Sequence, residues 1–513
     1  MSIWSACYEK RSWLRHVCFF LFLCVFYDPG SGSAENVLKL PEETVIIEEE
    51  AFRNTTSVET VIIPKNVKYI GPKAFAGSSL KRAYFSSALT EIAEDAFEED
   101  TSLIGYGSAE PGFTSYITPE EFGAKGDGIT DDSAAFQKCL NSRETNVLLS
   151  GTYLIRSYIT TKISKVFFAY PVNAGPGASI ICDPDYSDHV LSFEGGVSFE
   201  NIAFRSTKQG TGRSPHGEIY TRTSNIIFVE IWNQYGSFTN CYFTNALTGI
   251  RGRKSSRSTV IPQSITVRGC TFEECKSPVQ GYCEKTTVDY CRFKNDGDLY
   301  SGDHCIYMER YGCKYLRVSN CTVETMNSAS GAAFQIYGTP KAGDIIPELT
   351  VSGCTINANL VVSASAAEVT IRGCSFNEQR RDQYIARVEA GSMTLIDSVF
   401  NHSYAFSYWN TEVLPQAYNC TFTLMLNLCQ TRCSFPLVSE GCTYVDWGGN
   451  VKLSGTTFTD CIFTRSGNHT LERLYINNSG GFTMTLTNTL FRSGDTIINN
   501  KKGITEGSNY DTF

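Results

Sequence analysis

Charge is scarce in this chain. Only 19% of its 513 residues are Asp, Glu, Lys or Arg, so no large part reads as a disordered, self-repelling polymer. A basic surplus is also missing. The net charge is −9, and nothing in the composition supplies the cationic stripe that phosphates require, which argues against nucleic acid as the main partner. The prominent apolar run, Val17 to Tyr27, falls well short of the roughly 20 residues that a spanning helix needs. The 20 cysteines include no C-x-x-C pair, and most stand about a coil length apart, which argues against a zinc site. Turn chemistry is plentiful instead. Forty-two glycines and 16 prolines, with frequent Asn and Thr, suit a turn-rich β protein better than a helical bundle.

Lys10, Arg11 and Arg15 precede the Val17–Tyr27 run, and small residues follow it as far as Ala34. A basic start, a short apolar core and a small-residue end are the pattern of a secretory signal peptide over residues 1–34, with a short membrane anchor as the alternative. The expectation is an extracellular or cell-surface protein with no membrane span once the signal is removed. Residues 35–104 then carry a repeat of the form I-x-x-x-A-F, at Ile47 to Phe52, Ile70 to Phe75 and Ile92 to Phe97, with strand-like pieces such as Val61-Ile62-Ile63 between. A period of 22 to 23 residues with one short strand per unit is that of a leucine-rich solenoid. The motif resembles the BspA-like leucine-rich repeats of bacterial surface proteins. That resemblance implies adhesion or display, and a structural N-terminal cap is the competing reading. Gly105 to Ser115 reads as a linker.

The next domain is expected over residues 116–500, with 501–513 as a tail. It opens on Phe122-Gly-Ala-Lys-Gly-Asp-Gly-Ile-Thr-Asp-Asp132. Thr130 is the expected N-cap of a short helix, with Asp131 and Asp132 in its first turn. No EF-hand spacing follows Asp127, so a calcium loop is not favoured. Farther on, one phrase recurs: apolar, any, polar, Cys, any, apolar. It stands at Phe238 to Phe243, Val267 to Phe272, Val288 to Phe293, Val318 to Val323, Val351 to Ile356, Ile371 to Phe376, Ala417 to Phe422 and Phe458 to Phe463, with weaker copies in which Ile202, Ser398, Cys442 and Thr489 hold the Cys place. The intervals run from 19 to 39 residues. A floor near 20 with variable excess is what three-strand coils with loop insertions give, and the strict alternation marks strands with one buried face. The opening phrase is similar to that of the pectate-lyase superfamily and polygalacturonase-like proteins. The resemblance implies an all-β solenoid, a right-handed parallel β-helix of the pectin-lyase-like kind, whose short helix plugs the first coil.

Cysteines 241, 270, 291, 321, 354, 374, 420, 442 and 461 fall in one column of this pattern. Stacked strands lie about 4.7–4.9 Å apart, and parallel side chains at that spacing are poorly placed for disulfides. Core thiols are expected there. For the off-column pair Cys429 and Cys433, a bridge and no bridge are equally open.

A packed coil has no internal pocket, so a ligand must use an outer face. Aligning Ile250, Val279, Ile306 and Ile336 as one inward column places Arg251, Gln280, Tyr307 and Tyr337 outside, with Asp303, Glu309 and Gln335 on the same face. Tyrosine offers a flat apolar face with a polar tip, which suits sugar rings. Arg251, Arg253, Lys254 and Arg257 form a basic loop that can hold uronate carboxylates through forked hydrogen bonds, or simply face water. The segment Asn295 to His304 concentrates Asp296, Asp298, Asp303 and His304. These are candidates for general acid and base or for a calcium cradle, against the plain reading of an Asp/Gly turn. The expected catalytic set is Asp298, Asp303, His304 and Glu309, and the expected substrate-binding set is Arg251, Arg253, Gln280, Tyr307, Gln335 and Tyr337. No metal ligands are assigned, and calcium is a candidate cofactor without a specific motif. The Asn-Thr-Asp, Asp-Asp and Arg-Ile-Lys elements of the polygalacturonase-like hydrolases are missing, and the pectate-lyase Arg-x-Pro-x-x-Arg is half matched at Arg213-Ser214-Pro215. His216 and Glu218 follow in the same loop. The resemblance therefore implies a polysaccharide context and leaves open lyase or hydrolase action against glycan binding by an adhesin or tailspike-like display protein.

Overall fold

The computed structural model of the chain describes residues 37–506, with breaks at 105–115, 170–175, 184–188, 208–211, 214–218, 221–225, 255–258, 296–303, 327–330, 378–383, 407–413, 424–434, 465–474 and other short stretches. The segments expected to be signal peptide and linker, with Arg257, Asp296, Asp298, Asp303, His216, Glu218, Cys429 and Cys433, lie outside the described residues. The chain divides into two compact units between residues 106 and 107.

In the first unit the repeats stack as parallel strands. Val37–Lys39, Thr60–Ile63, Arg82–Phe85 and Ser102–Ile104 form one sheet, and Ile46–Ile47, Tyr69–Ile70 and Glu91–Ile92 form a second. The aromatic that ends each I-x-x-x-A-F phrase lies on the next one. Phe52 and Phe75 stack at 5.1 Å, and Phe75 and Phe97 at 4.9 Å. The repeat thus makes its own core, each unit burying what its neighbour exposes.

The second unit is a coil of parallel strands in three long sheets, with 16, 15 and 10 strands among the described residues. One coil shows the plan: Tyr235–Thr239 in the first sheet, Tyr242–Ala246 in the second and Thr248–Gly252 in the third. Each pairs in parallel with its equivalent in the next coil, Ser264–Arg268, Thr271–Cys275 and Val279–Gly281. The recurring Cys phrase is the corner between the first two sheets. The residue before the cysteine turns the chain with a positive φ: 51° at Asn240, 52° at Asn320 and 60° at Gly353. Asn and Gly tolerate that left-handed backbone best, which is why the phrase carries them there. The stack continues to Ile504–Glu506, paired with Met484–Thr487.

All nine column cysteines are buried and unbridged. Each corner amide has a use for the next sulfur. The N–H of Cys241 donates to Cys270 Sγ at 3.3 Å, that of Cys291 to Cys321 Sγ at 3.3 Å and that of Cys321 to Cys354 Sγ at 3.4 Å. Ser398 takes the same place, accepting from the Cys374 N–H at 3.1 Å. Burial pushes Cys275 and Cys313, elsewhere in the core, up to about 12, so such thiols stay protonated at neutral pH. Beside the column, the phrase-ending aromatics stack in series: Phe204 on Phe243 at 4.7 Å, Phe243 on Phe272 at 4.9 Å and Phe272 on Phe293 at 5.2 Å. Each such ring contributes about 1.5–3 kcal/mol by burial.

The α-helix is Ser133–Asn141, and Thr130 is not its N-cap. Thr130 belongs to the strand Asp127–Asp131, and its hydroxyl donates to Asp127 at 2.8 Å. Asp132 is the N-cap residue, but its carboxylate accepts from the amides of Lys125 and Gly126 and tethers the preceding glycine-rich turn. With Thr130 engaged by Asp127, the first helical amide, that of Ser133, donates to Asp131 at 3.0 Å instead. Ala135, Phe136, Cys139 and Leu140 point into the coil core, where Phe136 meets Tyr153 edge-on at 5.0 Å. The fully buried Lys165 closes the helix end, donating to the carbonyls of Cys139 at 3.3 Å and Ser142 at 3.0 Å. Among the described residues, no helix is long and apolar enough to cross a membrane.

Candidate functional site on the outer face of the third sheet

Strand pairing builds the site. In the third sheet, Ser192 pairs Glu230, Glu230 pairs Arg251, Arg251 pairs Gln280, Gln280 pairs Tyr307 and Tyr307 pairs Gln335. Period two puts a second outward column beside this one. It runs through Trp232, Arg253, Tyr282, Glu309 and Tyr337, with Glu309 directly opposite Tyr337 and Trp232, Arg253 and Tyr282 each bonded by their amides to the preceding coil.

One expectation needs correction. Ile306 pairs Phe334, and Ile336 pairs Met308, so the inward column passes from Ile250, Val279 and Ile306 to Phe334. Tyr337 therefore stands in the second outward column and Gln335 continues that of Tyr307. A slip of two residues keeps every side chain on its face, so alternation alone does not reveal it. The two tyrosines still meet: the rings of Tyr307 and Tyr337 lie 6.0 Å apart at 32°. Tyr337 is 54% exposed, and Tyr307 is half-buried. Gln280 is held by its amide, which donates to Thr248 Oγ1 at 2.7 Å.

Glu309 is half-buried, and burial holds its carboxyl above the usual range, opposed by a hydrogen bond with Tyr307. The same burial, with Glu309 beside it, raises the Tyr307 hydroxyl well above its ordinary value. The pair therefore favours a shared proton over two charges.

His304 has a different setting. It is 8% exposed, its Nδ1 lies 3.1 Å from the Ala332 amide nitrogen and 2.9 Å from the Ala332 carbonyl oxygen, and its ring lies 5.2 Å from that of Tyr307. Burial brings it down to about 4, so the ring is neutral at neutral pH and staples two coils. A stability effect follows. Above pH 6.5 neither folded nor unfolded His304 carries a proton. Between about pH 6.5 and 4 the unfolded chain takes one up and the folded chain does not, so stability falls with pH, by about 3 kcal/mol in all. His304→Gln is expected to flatten the dependence of the denaturant midpoint on pH across that window, and an unchanged slope would place the ring in water.

Sequence reasoning passed over the other end of this face. Glu230 sits in the apolar run Ile226 to Ile231 and is 1% exposed. Tyr158 donates to its Oε2 at 3.0 Å, and Arg253 Nε and His189 Nε2 lie 3.3 Å and 3.7 Å from its Oε1. The Arg253 contact is one of charge, off the hydrogen-bonding line. The Arg253 guanidinium lies over the Trp232 ring at 5.0 Å, and Lys254 Nζ over the Tyr311 ring at 3.6 Å. A single acidic residue inside an apolar strand was the available signal. Among the described residues, no three His, Cys, Asp or Glu come together as a metal site. Gly212–Arg213 pairs with Ile219–Tyr220 as a two-stranded antiparallel ribbon.

Two family models match the chain: right handed beta helix region over residues 194–376, and BspA type leucine rich repeat region, in six copies, over residues 27–107. The coils are a right-handed parallel β-helix. BspA-type repeats precede it. No curated protein sequence matches the chain. Similar solved structures include PfbA, a surface adhesin of Streptococcus pneumoniae, at 12% identity over 75% of this chain and 93% of that one, with a TM-score of 0.42. Others are the catalytic unit of a thermostable GH87 alpha-1,3-glucanase from Streptomyces thermodiastaticus, at 13% identity over 80% of this chain and 72% of that one with a TM-score of 0.36, and the A-module of the Azotobacter vinelandii mannuronan C-5 epimerase AlgE4, at 11% identity over 78% of this chain and 100% of that one with a TM-score of 0.34. In the β-helix of this chain, the face just described gathers aromatic rings and charge on consecutive strands.

Proposed function

We propose that this protein acts outside the cell or at its surface and binds a polysaccharide along the outer face of the third sheet. The observation that carries the reading is the succession of Tyr282, Tyr307 and Tyr337 on three consecutive strands, with Glu309 among them. Rungs advance by about 4.8 Å, so rings on successive strands offer a ladder of apolar platforms with polar tips, which matches the faces and hydroxyls of an extended glycan. The exported reading draws on the segment before Ala34 and on the BspA-type repeats.

Cleavage is the second reading, and Glu309 favours it. Burial raises its carboxyl above the ordinary range, the direction that general-acid catalysis calls for. Hydrolysis needs a second carboxyl about 5–9.5 Å away. Glu230 lies three strands off, roughly 14 Å at the rung spacing, so it does not fill that role. Asp298 and Asp303, on the segment leading into Ile306, are the proposed partners; for a lyase they would instead supply the base.

The test is a screen of neutral and uronate-containing polysaccharides for binding, for new reducing ends and for the ultraviolet absorbance of unsaturated products. Binding with either product signal establishes the enzyme, and binding with neither establishes the adhesin-like alternative. Failure to bind any glycan would end the reading.

A further inference from the structure

We infer that Arg251 and Arg253 form an oxyanion-binding subsite at one end of this face, and that the ligand is a glycan carrying its acidic group at that subsite and uncharged sugars beyond it. The inference deepens the proposed polysaccharide reading and rests on it.

The two arginines are two residues apart on and just after the strand Thr248–Gly252, and so share the outward face. Both are half-buried. Arg251 makes no hydrogen bond or ion pair among the described residues, and partial loss of water, with Arg253 beside it, lowers its pKa. Two neighbouring guanidiniums partly withdrawn from water are an unsatisfied arrangement unless an anion joins them, and each presents a planar fork suited to two oxygens.

Glu230 acts as the positioning residue. Buried beneath the pair, it faces Arg253 Nε, while the Trp232 ring lies under the guanidinium plane. Tyr158 and His189 hold the carboxylate from the other side. These contacts fix Arg253 by its Nε and its flat face. Its terminal nitrogens enter no hydrogen bond among the described residues, so the ligand-facing fork is left for use. One buried carboxylate stands against Arg251, Arg253 and Lys254, so positive charge is in excess here.

Farther along, the outward residues Gln280, Tyr282, Tyr307, Glu309, Gln335 and Tyr337 include no cation. A polymer with a carboxylate on every sugar would lay one against the half-buried Glu309 carboxyl, with no cation among the outward residues just named to offset either charge. A mixed glycan avoids that repulsion. Carboxylate and sulfate ester are both oxyanions of the right shape, and probes separate them.

The full chain is titrated with hyaluronan oligosaccharides, in which glucuronate alternates with a neutral amino sugar, with the same fragments after carboxyl reduction, with polygalacturonate, and with chondroitin with and without sulfate. Expected is at least about 10-fold tighter binding of intact than of reduced hyaluronan fragments. Arg251→Ala should erase that preference and leave the reduced fragments within about 2-fold. Arg251→Ala is the primary variant because it leaves the Glu230–Arg253 contact intact, whereas Arg253→Ala would strand a buried carboxylate. Tyr337→Ala should weaken intact and reduced fragments alike. Sulfate-dependent tightening that Arg251→Ala removes would assign the sulfate ester. Tightest binding of polygalacturonate overturns the mixed-charge inference. An effect of Tyr337→Ala with none of Arg251→Ala removes the subsite and keeps the polysaccharide reading. Binding of none of these probes overturns both.

Discussion

Cys321→Asp is expected to destabilise the β-helix by several kcal/mol, roughly the penalty of burying an unpaired carboxyl. Cys321 is 1% exposed, in the middle of the column, with the coils of Cys291 and Cys354 on either side. Its sulfur accepts from the Cys291 N–H, and its own S–H points at the Ser319 carbonyl at 3.1 Å. Asp fits neither the volume nor the donor. Cys321→Ser supplies both, as Ser398 does when it accepts from Cys374 and donates to the Ile396 carbonyl at 2.8 Å, so it should stay within about 1 kcal/mol of the parent. Cys321→Ala, which leaves the Cys291 amide without an acceptor, should fall between, at about 1–3 kcal/mol. Denaturant midpoints measure all three. Thiol counting provides an independent check: denatured protein should react with many more equivalents than native protein, without reductant. An Asp variant as stable as the parent would put the column in water and invert the inside and outside of every coil.

The second large effect concerns the face itself. Should the parent cleave a glycan, Glu309→Gln keeps shape and hydrogen bonding but removes the transferable proton, and turnover should fall by about 10²-fold or more with binding largely kept. Tyr337→Ala removes an exposed stacking platform and should weaken binding by about 10-fold, roughly 1.4 kcal/mol, with little change in turnover per bound chain. Steady-state kinetics over a range of substrate concentrations separates the two as a kcat effect and a KM effect. Loss of kcat from Tyr337→Ala with an unaffected Glu309→Gln would exchange their roles. For a protein that binds without cleaving, Glu309→Gln should change affinity little, and a large change there would mean that its proton contacts the ligand.

Much of the fold was legible because a solenoid writes its geometry into its sequence. The Cys phrase repeats at coil length, its alternation marks the buried face, and the Asn or Gly before most of the column cysteines marks a left-handed corner. Each of those signals is local, since a strand, a turn and its rung neighbour occupy the same short phrase. The I-x-x-x-A-F repeat worked in the same way, its terminal Phe residues landing on one another. The helix start was misjudged at Thr130 because Asp127 holds that residue in a strand, while Asp131 accepts from the first helical amide, that of Ser133.

The site was less legible. The outward placement of Arg251, Gln280 and Tyr307 follows from alternation, and their spacing by coil length puts them on one face. Whether Gln335 or Tyr337 continues their column depends on a register slip of two, which leaves the in-and-out pattern unchanged. Glu230 was hidden for a similar reason: within Ile226-Ile227-Phe228-Val229-Glu230-Ile231 it looks like one polar residue in a core strand. The sequence alone determined the coil, its buried columns and the outward placement of Arg251, Gln280 and Tyr307, because these depend on periods short enough to repeat within one coil. Only the tertiary structure decided which side chains meet across coils, placing Tyr307 by Tyr337 and Glu230 beneath Arg253, because strand register and the depth of a side chain in the sheet are set by packing between segments some 20 to 30 residues apart.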